Sequence, residues 1–441
     1  MLADSRIQVR DVDEILTTIR KPGADRLLIF FGWAAAPDLA KMTGIAPLFS
    51  HDCTSIIVRD PGRSWYNLAI DGLSKDADDL FDQLAERIGA FPRHKITACG
   101  FSMGGYAALL FGAKLGVGGI IAGAPQVVLH PKLPHAPKVT VKYDNITSVI
   151  AEAPKETKID IWYGAESFSD LFNMAHVPPQ ENLTINAVSG SMHNVLQTFK
   201  RRGQMPAFLE HVAVDTPFST KTILIPRAAR SRVIKAGRLF YLHRKFDSVI
   251  DTLAPIADDI GLSAVHCIIA DSYFRLGNYD GARSYYERAA AASHENYDAN
   301  YNLGLSLEKL KKDRAAVRAF AKALEFVPSL DGYRYAKLAS AQLRIGAVDE
   351  AIKNHTIAIN TENYPAVCHY ELGTILLGRR QEQEALEHFE KHRAAFPKFK
   401  PTLRRIAALT YRIAKRNVQA WSSPAHHMCS TWRQSHHLFR C

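Results

Sequence analysis

The stretch CGFSMGGYAALLFG at residues 99–112 sets a serine between glycines, with the β-branched run Lys95-Ile96-Thr97 before it and small apolar residues after it. A serine hydroxyl is a poor nucleophile at neutral pH. It needs a base to take its proton, an acid to orient that base, and donors for the developing oxyanion. The sharp strand-to-helix turn that exposes such a serine crowds its neighbours, so positions two before and two after must be small. Gly100 and Gly104 meet that demand around Ser102, and Gly105 leaves room for helix–strand packing.

Partners for the serine must follow in a fixed order. IDIWYGAESFSDLFNMAHV (159–177) supplies Glu166 and Asp170 past the second strand after the turn. Asp170 is the preferred acid; Glu166 is the alternative, or a cap for the segment that follows. AVSGSMHNVLQTFKRRG (187–203) places His193 in a turn ahead of a helix. The intervals are 68 residues from Ser102 to Asp170 and 23 from Asp170 to His193. His176 lies in an apolar helical segment and reads as structural, whereas His94 precedes its strand, at the wrong end of a sheet. For the oxyanion, the Met103 N–H is one donor. The second comes from FFGWAAAP (30–37), with the Trp33 N–H preferred over that of Gly32.

These residues need a sheet to hold them. RLLIFFG (26–32), TSIIVRD (54–60), KITACG (95–100), VGGIIAGAP (117–125), KIDIWYGA (158–165) and NLTINAVSG (182–190) read as buried strands. SKDADDLFDQLAERIGA (74–90) is an amphipathic helix with Leu80, Leu84 and Ile88 on one face and Ser74 as its cap candidate. Continuous apolar strands alternating with helices predict a mostly parallel sheet covered on both faces, an α/β domain.

With GxSxG in that context and the order Ser, Asp, His, residues 1–210 resemble the α/β-hydrolase family. The resemblance implies a Ser102 nucleophile, a His193 base, an orienting Asp170 and backbone donors at Met103 and Trp33. It implies a covalent acyl-enzyme resolved by water or another acceptor, and neither metal nor organic cofactor. IIVRDPGRSWYN (56–67) and AGAPQVVL (122–129) are expected to border the cleft, where Trp33 and Trp65 are candidate lining residues. The stretch from Gln126 to Thr157 is the expected specificity element. Its polarity favours short acyl esters, on a small molecule or a polymer, over long-chain lipids. Cys99 beneath the turn reads as a small core residue.

A different period begins near residue 230. Ala282, Ala316, Ala351 and Ala385 recur at intervals of 34, 35 and 34, each preceded by a small residue twelve positions earlier: Ala270, Gly304, Ala339 and Gly373. Tyr286, Phe320 and Phe389 lie four residues after three of the alanines, with His355 in the third repeat. Two helices cross closely only over small side chains, and an aromatic one turn later fills the space beside them. The pattern resembles the tetratricopeptide repeat (TPR) family, fullest in NLGLSLEKLKKDRAAVRAFAKALEFVP (302–328). The resemblance implies four repeats after a degenerate one at 237–256, a capping helix at 401–417, and a groove for a protein partner. Arg275, Lys309 and Arg344 share one repeat position. Each suits the C-terminal end of its helix, or a groove for an acidic peptide or an anionic carbohydrate.

The organisation expected is therefore an α/β-hydrolase-like domain (1–210), a linker (211–229), an all-α TPR solenoid with its cap (230–420) and an irregular basic, His-rich tail (421–441). The net charge of +11 comes mostly from residues 398–441, which hold nine Lys or Arg and no Asp or Glu. A charge confined to a tail does not describe a specific nucleic-acid binder. HHMC (426–429) and HHLFRC (436–441) match no structural zinc module. Six scattered cysteines, no apolar run long enough for a bilayer, and acidic residues among the first thirty point to a cytoplasmic protein.

Overall fold

The computed structural model describes residues 8–12, 15–21, 23–32, 45–49, 53–219, 225–327, 331–361 and 364–421. Trp33 and the tail beyond residue 421 lie outside the described residues. By its contacts the chain divides into two compact units, Met1–Ser306 and Leu307–Cys441.

In the first unit the strands are β1 (Gln8–Val12), β2 (Leu16–Arg20), β3 (Leu27–Phe31), β4 (Thr54–Val58), β5 (Ile96–Phe101), β6 (Gly119–Gly123), β7 (Lys158–Gly164) and β8 (Leu183–Val188). They form one sheet in the order β1-β2-β4-β3-β5-β6-β7-β8. The pairs from β4 to β8 are parallel; β1–β2 and β2–β4 are antiparallel. The six strands read from the sequence are β3 to β8, and the antiparallel pair β1–β2 was not among them. Among the described residues, six α-helices accompany the sheet: α1 (Ala77–Ile88), α2 (Met103–Leu115), α3 (Thr147–Ala151), α4 (Phe168–His176), α5 (Val195–Arg201) and α6 (Met205–Val214). Asp76, not Ser74, caps α1, its side chain accepting from the Asp78 and Asp79 amides. Ser74 instead closes a bridge with Ile70.

Strand alternation sorts side chains between two cores. Ile29, Phe31, Ile56, Ala98, Ile120 and Ile161 face one side with α1, α2 and α4. Leu28, Phe30, Ile57, Cys99, Phe101 and Trp162 face the other with α5 and α6. Helix α2 is apolar all round and almost wholly buried, as a central helix against a sheet must be.

The helical region continues with α7 (Arg227–Gly237), α8 (Phe246–Leu253), α9 (Ala257–Ile260), α10 (Ser263–Arg275), α11 (Tyr279–Ala292), α12 (Tyr297–Lys309), α13 (Asp313–Leu324), α14 (Gly332–Arg344), α15 (Val348–Ile359), α16 (Val367–Gly378), α17 (Glu382–Ala395) and α18 (Lys400–Trp421). Four helix pairs from α10 to α17, then a closing helix, are what the repeat spacing predicts. Residues from α7 to α10, among them Val233, Val249, Leu253 and Ile268, share the core of the sheet's first face. The change from strands to helices follows α6, yet the contact boundary falls inside α12 because that core is shared.

Within the second unit, Ala385, Phe389 and Leu409 form one cluster, and a Cβ on Gly373 would stand 3.0 Å from the Phe389 ring. His355, in the aromatic position of the third repeat, is fully buried, and its Nε2 pairs at 2.8 Å with Glu371. Arg344 pairs with Glu308 and Asp313, whereas in the first unit Arg275 lies over the Phe240 and Phe246 rings. At least two of the three periodic cations are thus engaged by neighbours of their own unit. Gly373→Leu is expected to overpack its crossing and cost about 1–3 kcal/mol, read as a lower chemical-denaturation midpoint.

Candidate active site

Strand β5 ends at Phe101 and α2 begins at Met103, leaving Ser102 alone to make the turn. Its backbone sits at φ +54°, ψ −117°, a conformation that a non-glycine residue holds only under surrounding constraint. The constraint is visible on both sides. The Ser102 N–H donates to the Gly123 carbonyl at 2.7 Å, and its own carbonyl accepts from the Tyr106 N–H at 3.0 Å. A Cβ at Gly100 would overlap the Gly104 carbonyl, and one at Gly104 would overlap that of Phe31. Met103 is the first residue of α2, so its N–H has no intrahelical acceptor and stands beside the serine.

Ser102 Oγ lies 2.9 Å from His193 Nε2, and His193 Nδ1 lies 2.7 Å from Asp170 Oδ1. Three residues from β5–α2, α4 and the β8–α5 loop thus form one hydrogen-bonded chain. Asp170 is 2% exposed; its other oxygen accepts from the Gly164 N–H at 3.3 Å. Burial pulls the His193 imidazole towards its neutral form, but the Asp170 carboxylate outweighs that and leaves the pKa above its ordinary value. In the neutral ring, Nδ1–H towards Asp170 leaves a bare Nε2 to accept from the serine hydroxyl.

Glu166 is held elsewhere. Its Oε1 accepts from the Gly190 N–H at 2.9 Å, and Asn296 Nδ2 lies 3.4 Å from Oε2. Its backbone N–H donates to Ser191 at 3.0 Å. Burial raises its pKa against hydrogen bonds from Ser293, Gly190, Ser263 and Asn296. The alternative acid is therefore a strut between the His193 loop and the turn joining α11 to α12. Glu295 in that turn takes Arg201 at 2.6 Å and Arg202 at 3.1 Å. The same guanidinium groups donate to the Gly190 and Ser189 carbonyls, at 3.2 and 2.8 Å. Gly190 sits at φ +67° with Glu295 and Arg202 where a side chain would be. At the far end of the loop, a Cβ on Gly164 would overlap the Met192 carbonyl. Glu295→Ala is expected to raise amide exchange at residues 189–192 while exchange in β5 stays unchanged, read by hydrogen-exchange mass spectrometry.

Two residues beside His193 carry no sequence motif. Gln126 is buried, its Nε2 bonded to the Ala124 carbonyl at 3.1 Å and 3.4 Å from His193 Nε2. His135 stacks on His193 with ring centroids 4.0 Å apart and planes 3° apart. Both belong to the stretch from Gln126 to Thr157. That stretch is anchored rather than loose: Val127 and Val128 donate to Asn173 at 2.9 and 3.2 Å, and Tyr106 donates to the Tyr143 carbonyl at 2.7 Å. Val127, Leu129, Leu133, Val141, Ile146 and Ile150 point into the core. Trp65 is buried in the same core, so it does not line an open cleft. His176 bonds the Phe172 carbonyl at 2.8 Å, a structural contact within α4. Burial holds the Cys99 thiol well above its usual range. Among the described residues there is no cluster of three or more His, Cys, Asp or Glu that could hold a metal, and no helix is long and apolar enough to cross a membrane.

No curated protein matches the chain. Among solved structures, the crystal structure of YrrB, titled "a TPR protein with an unusual peptide-binding site", is 20% identical, covering 38% of this chain and 87% of that one with a TM-score of 0.35. The protein MamA from Desulfovibrio magneticus RS-1 is 17% identical over 40% of this chain and 99% of its own, with a TM-score of 0.36. Another MamA crystal structure is 22% identical over 35% and 84%, with a TM-score of 0.33. Residues 269–331 match the tetratricopeptide repeat family model, so the C-terminal region is a TPR repeat domain.

Proposed function

We propose that this protein is a serine hydrolase of the α/β-hydrolase type, acting on a short acyl ester through a covalent acyl-enzyme. The observation that carries the reading is the chain Ser102 Oγ–His193 Nε2–Asp170, at 2.9 and 2.7 Å. In this reading His193 takes the Ser102 proton as Oγ bonds the ester carbonyl carbon. The carbonyl electrons move onto oxygen, and the Met103 N–H meets that oxyanion. His193 then gives its proton to the departing alkoxide oxygen, and Asp170 holds the imidazole in the tautomer both steps need. Water attacks the acyl-enzyme by the same route in reverse. The second oxyanion donor, assigned to Trp33, lies outside the described residues.

The TPR repeats supply a surface for a protein partner, which in this reading delivers the hydrolase to a protein- or polymer-linked ester. The polar surface of residues 126–157 favours short acyl groups, because most of their apolar side chains are spent on the core.

A fluorophosphonate probe should label the wild type, fail to label Ser102→Ala and label His193→Ala far more slowly. A folded wild type that does not label would leave the sheet as a silent scaffold for the repeats. With p-nitrophenyl acetate, Asp170→Asn should lower kcat by roughly 10³–10⁴-fold. His193 must be neutral to act as base and its pKa is raised, so the acid limb of kcat/KM should lie above pH 6.5. Activity is then lost as pH falls through that limb, and a limb below pH 6.5 would contradict the Asp170 pairing.

A further inference from the structure

We propose that His135 is a positioning residue for His193, a neutral aromatic face that fixes the plane of the base and favours its protonated state during turnover. The inference rests on the serine-hydrolase reading. Its observation is separate from the triad: two imidazoles with centroids 4.0 Å apart and planes 3° apart.

The stack is built, not incidental. His135 takes φ +58°, in the left-handed region that a histidine adopts at some cost. Its neighbours Leu133 and Ala136 are buried in the core, and the Leu133 N–H donates to the His130 carbonyl at 2.8 Å. Lys138 Nζ closes the loop onto the Pro131 carbonyl at 3.2 Å. A strained backbone is thus held so that the ring covers one face of His193. The edges of His193 stay assigned, Nδ1 to Asp170 and Nε2 to Ser102. Stacking leaves both edges free to work and removes rotation about the side chain.

The electrostatics have a definite sign. When Ser102 gives up its proton, His193 becomes an imidazolium facing the π-surface of His135, a cation–π arrangement at the edge of the site. That holds only while His135 is uncharged. Partial desolvation, then the repulsion of His193 and Lys138, lower its pKa to about 4 against the pull of Asp170. The charged or titratable groups facing the pair are therefore Asp170 from α4, Lys138 from the same loop and His193 itself; Ser102 and Gln126 are the neutral polar neighbours. Near neutral pH, His135 adds polarisable surface without adding charge.

Two substitutions separate the ring from its bulk. His135→Phe keeps an aromatic face, and His135→Leu keeps the volume without one. In p-nitrophenyl acetate hydrolysis, His135→Leu should lower kcat by roughly 3- to 10-fold with KM little changed. Its acid limb should move down by about 0.5 pH unit, because the imidazolium has lost a favourable contact. His135→Phe should keep kcat within about twofold and restore the limb. Should His135→Leu not fold, His135→Asn removes the ring in a residue that tolerates positive φ. The His193 pKa is also read without turnover, by NMR titration of histidine-labelled Ser102→Ala protein carrying each substitution. A lower His193 pKa in the Leu or Asn variant, restored by Phe, supports the proposal. Equal pKa values in all variants, or a fall in kcat with an unmoved acid limb, overturn it. A wild type that does not react with the fluorophosphonate overturns the hydrolase reading instead, and the NMR titration still judges the stack.

Discussion

The approach of three backbone segments at the end of β5 governs the geometry around Ser102. Gly100 and Gly104 face each other, and Gly104 also faces the Phe31 carbonyl, at distances that leave no volume for a methyl group. Because the turn closes this tightly, the chain passes from a central parallel strand into a buried helix through one residue. That residue is forced to positive φ, and its side chain stands off the end of the sheet. The strain is sustained by what surrounds it: the Ser102 N–H is tied to Gly123 on β6, and α2 packs against β5 and β6 through residues with almost no exposure. A looser turn would let the serine relax to ordinary backbone angles and lose its alignment with His193.

Parallel pairing places the partners. In a parallel sheet every strand end on one side is a C-terminal end, so the segments after β5, β6, β7 and β8 meet over a common edge. Ser102 follows β5, Gln126 and His135 follow β6, Asp170 follows β7 and His193 follows β8. Residues far apart in the chain become neighbours without long side chains having to reach. Asp170 sits within the first turn of α4, where its Oδ2 accepts from the Gly164 N–H and its Oδ1 meets His193.

The repeats solve another packing problem with similar means. Small residues recur where two helices cross, and the ring one turn on fills the adjoining gap, as Phe389 does beside Gly373. Where the third repeat carries His355 instead, a polar contact between its buried imidazole and Glu371 takes over from apolar packing. In the first unit the same helical architecture is drawn into the sheet's core. The turn before α12 also reaches the His193 loop through Glu295 and Asn296. The first repeat is therefore part of the scaffold that holds that loop, a role separate from any partner surface.

Much of this was legible in the residues, because local rules act on local sequence. Continuous apolar runs marked β3 to β8, glycine spacing marked the turn at Ser102, and the 34-residue period marked the helix pairs. The candidates Ser102, Asp170 and His193 followed from their order along a parallel sheet, where strand ends converge whatever the details of packing. Other features depended on contacts distant in sequence. Ser74 and Asp76 were both capping types, and the choice fell to the one placed to meet two free amides. Glu166 lies only four residues from Asp170, yet its carboxylate faces Gly190 and Asn296, the latter 130 positions away. His135 and Gln126 have no motif at all, since stacking and burial leave no spacing to read. Composition and periodicity determine which segments become strands, turns and paired helices; which polar side chain meets which is decided only when the packed core brings the segments together.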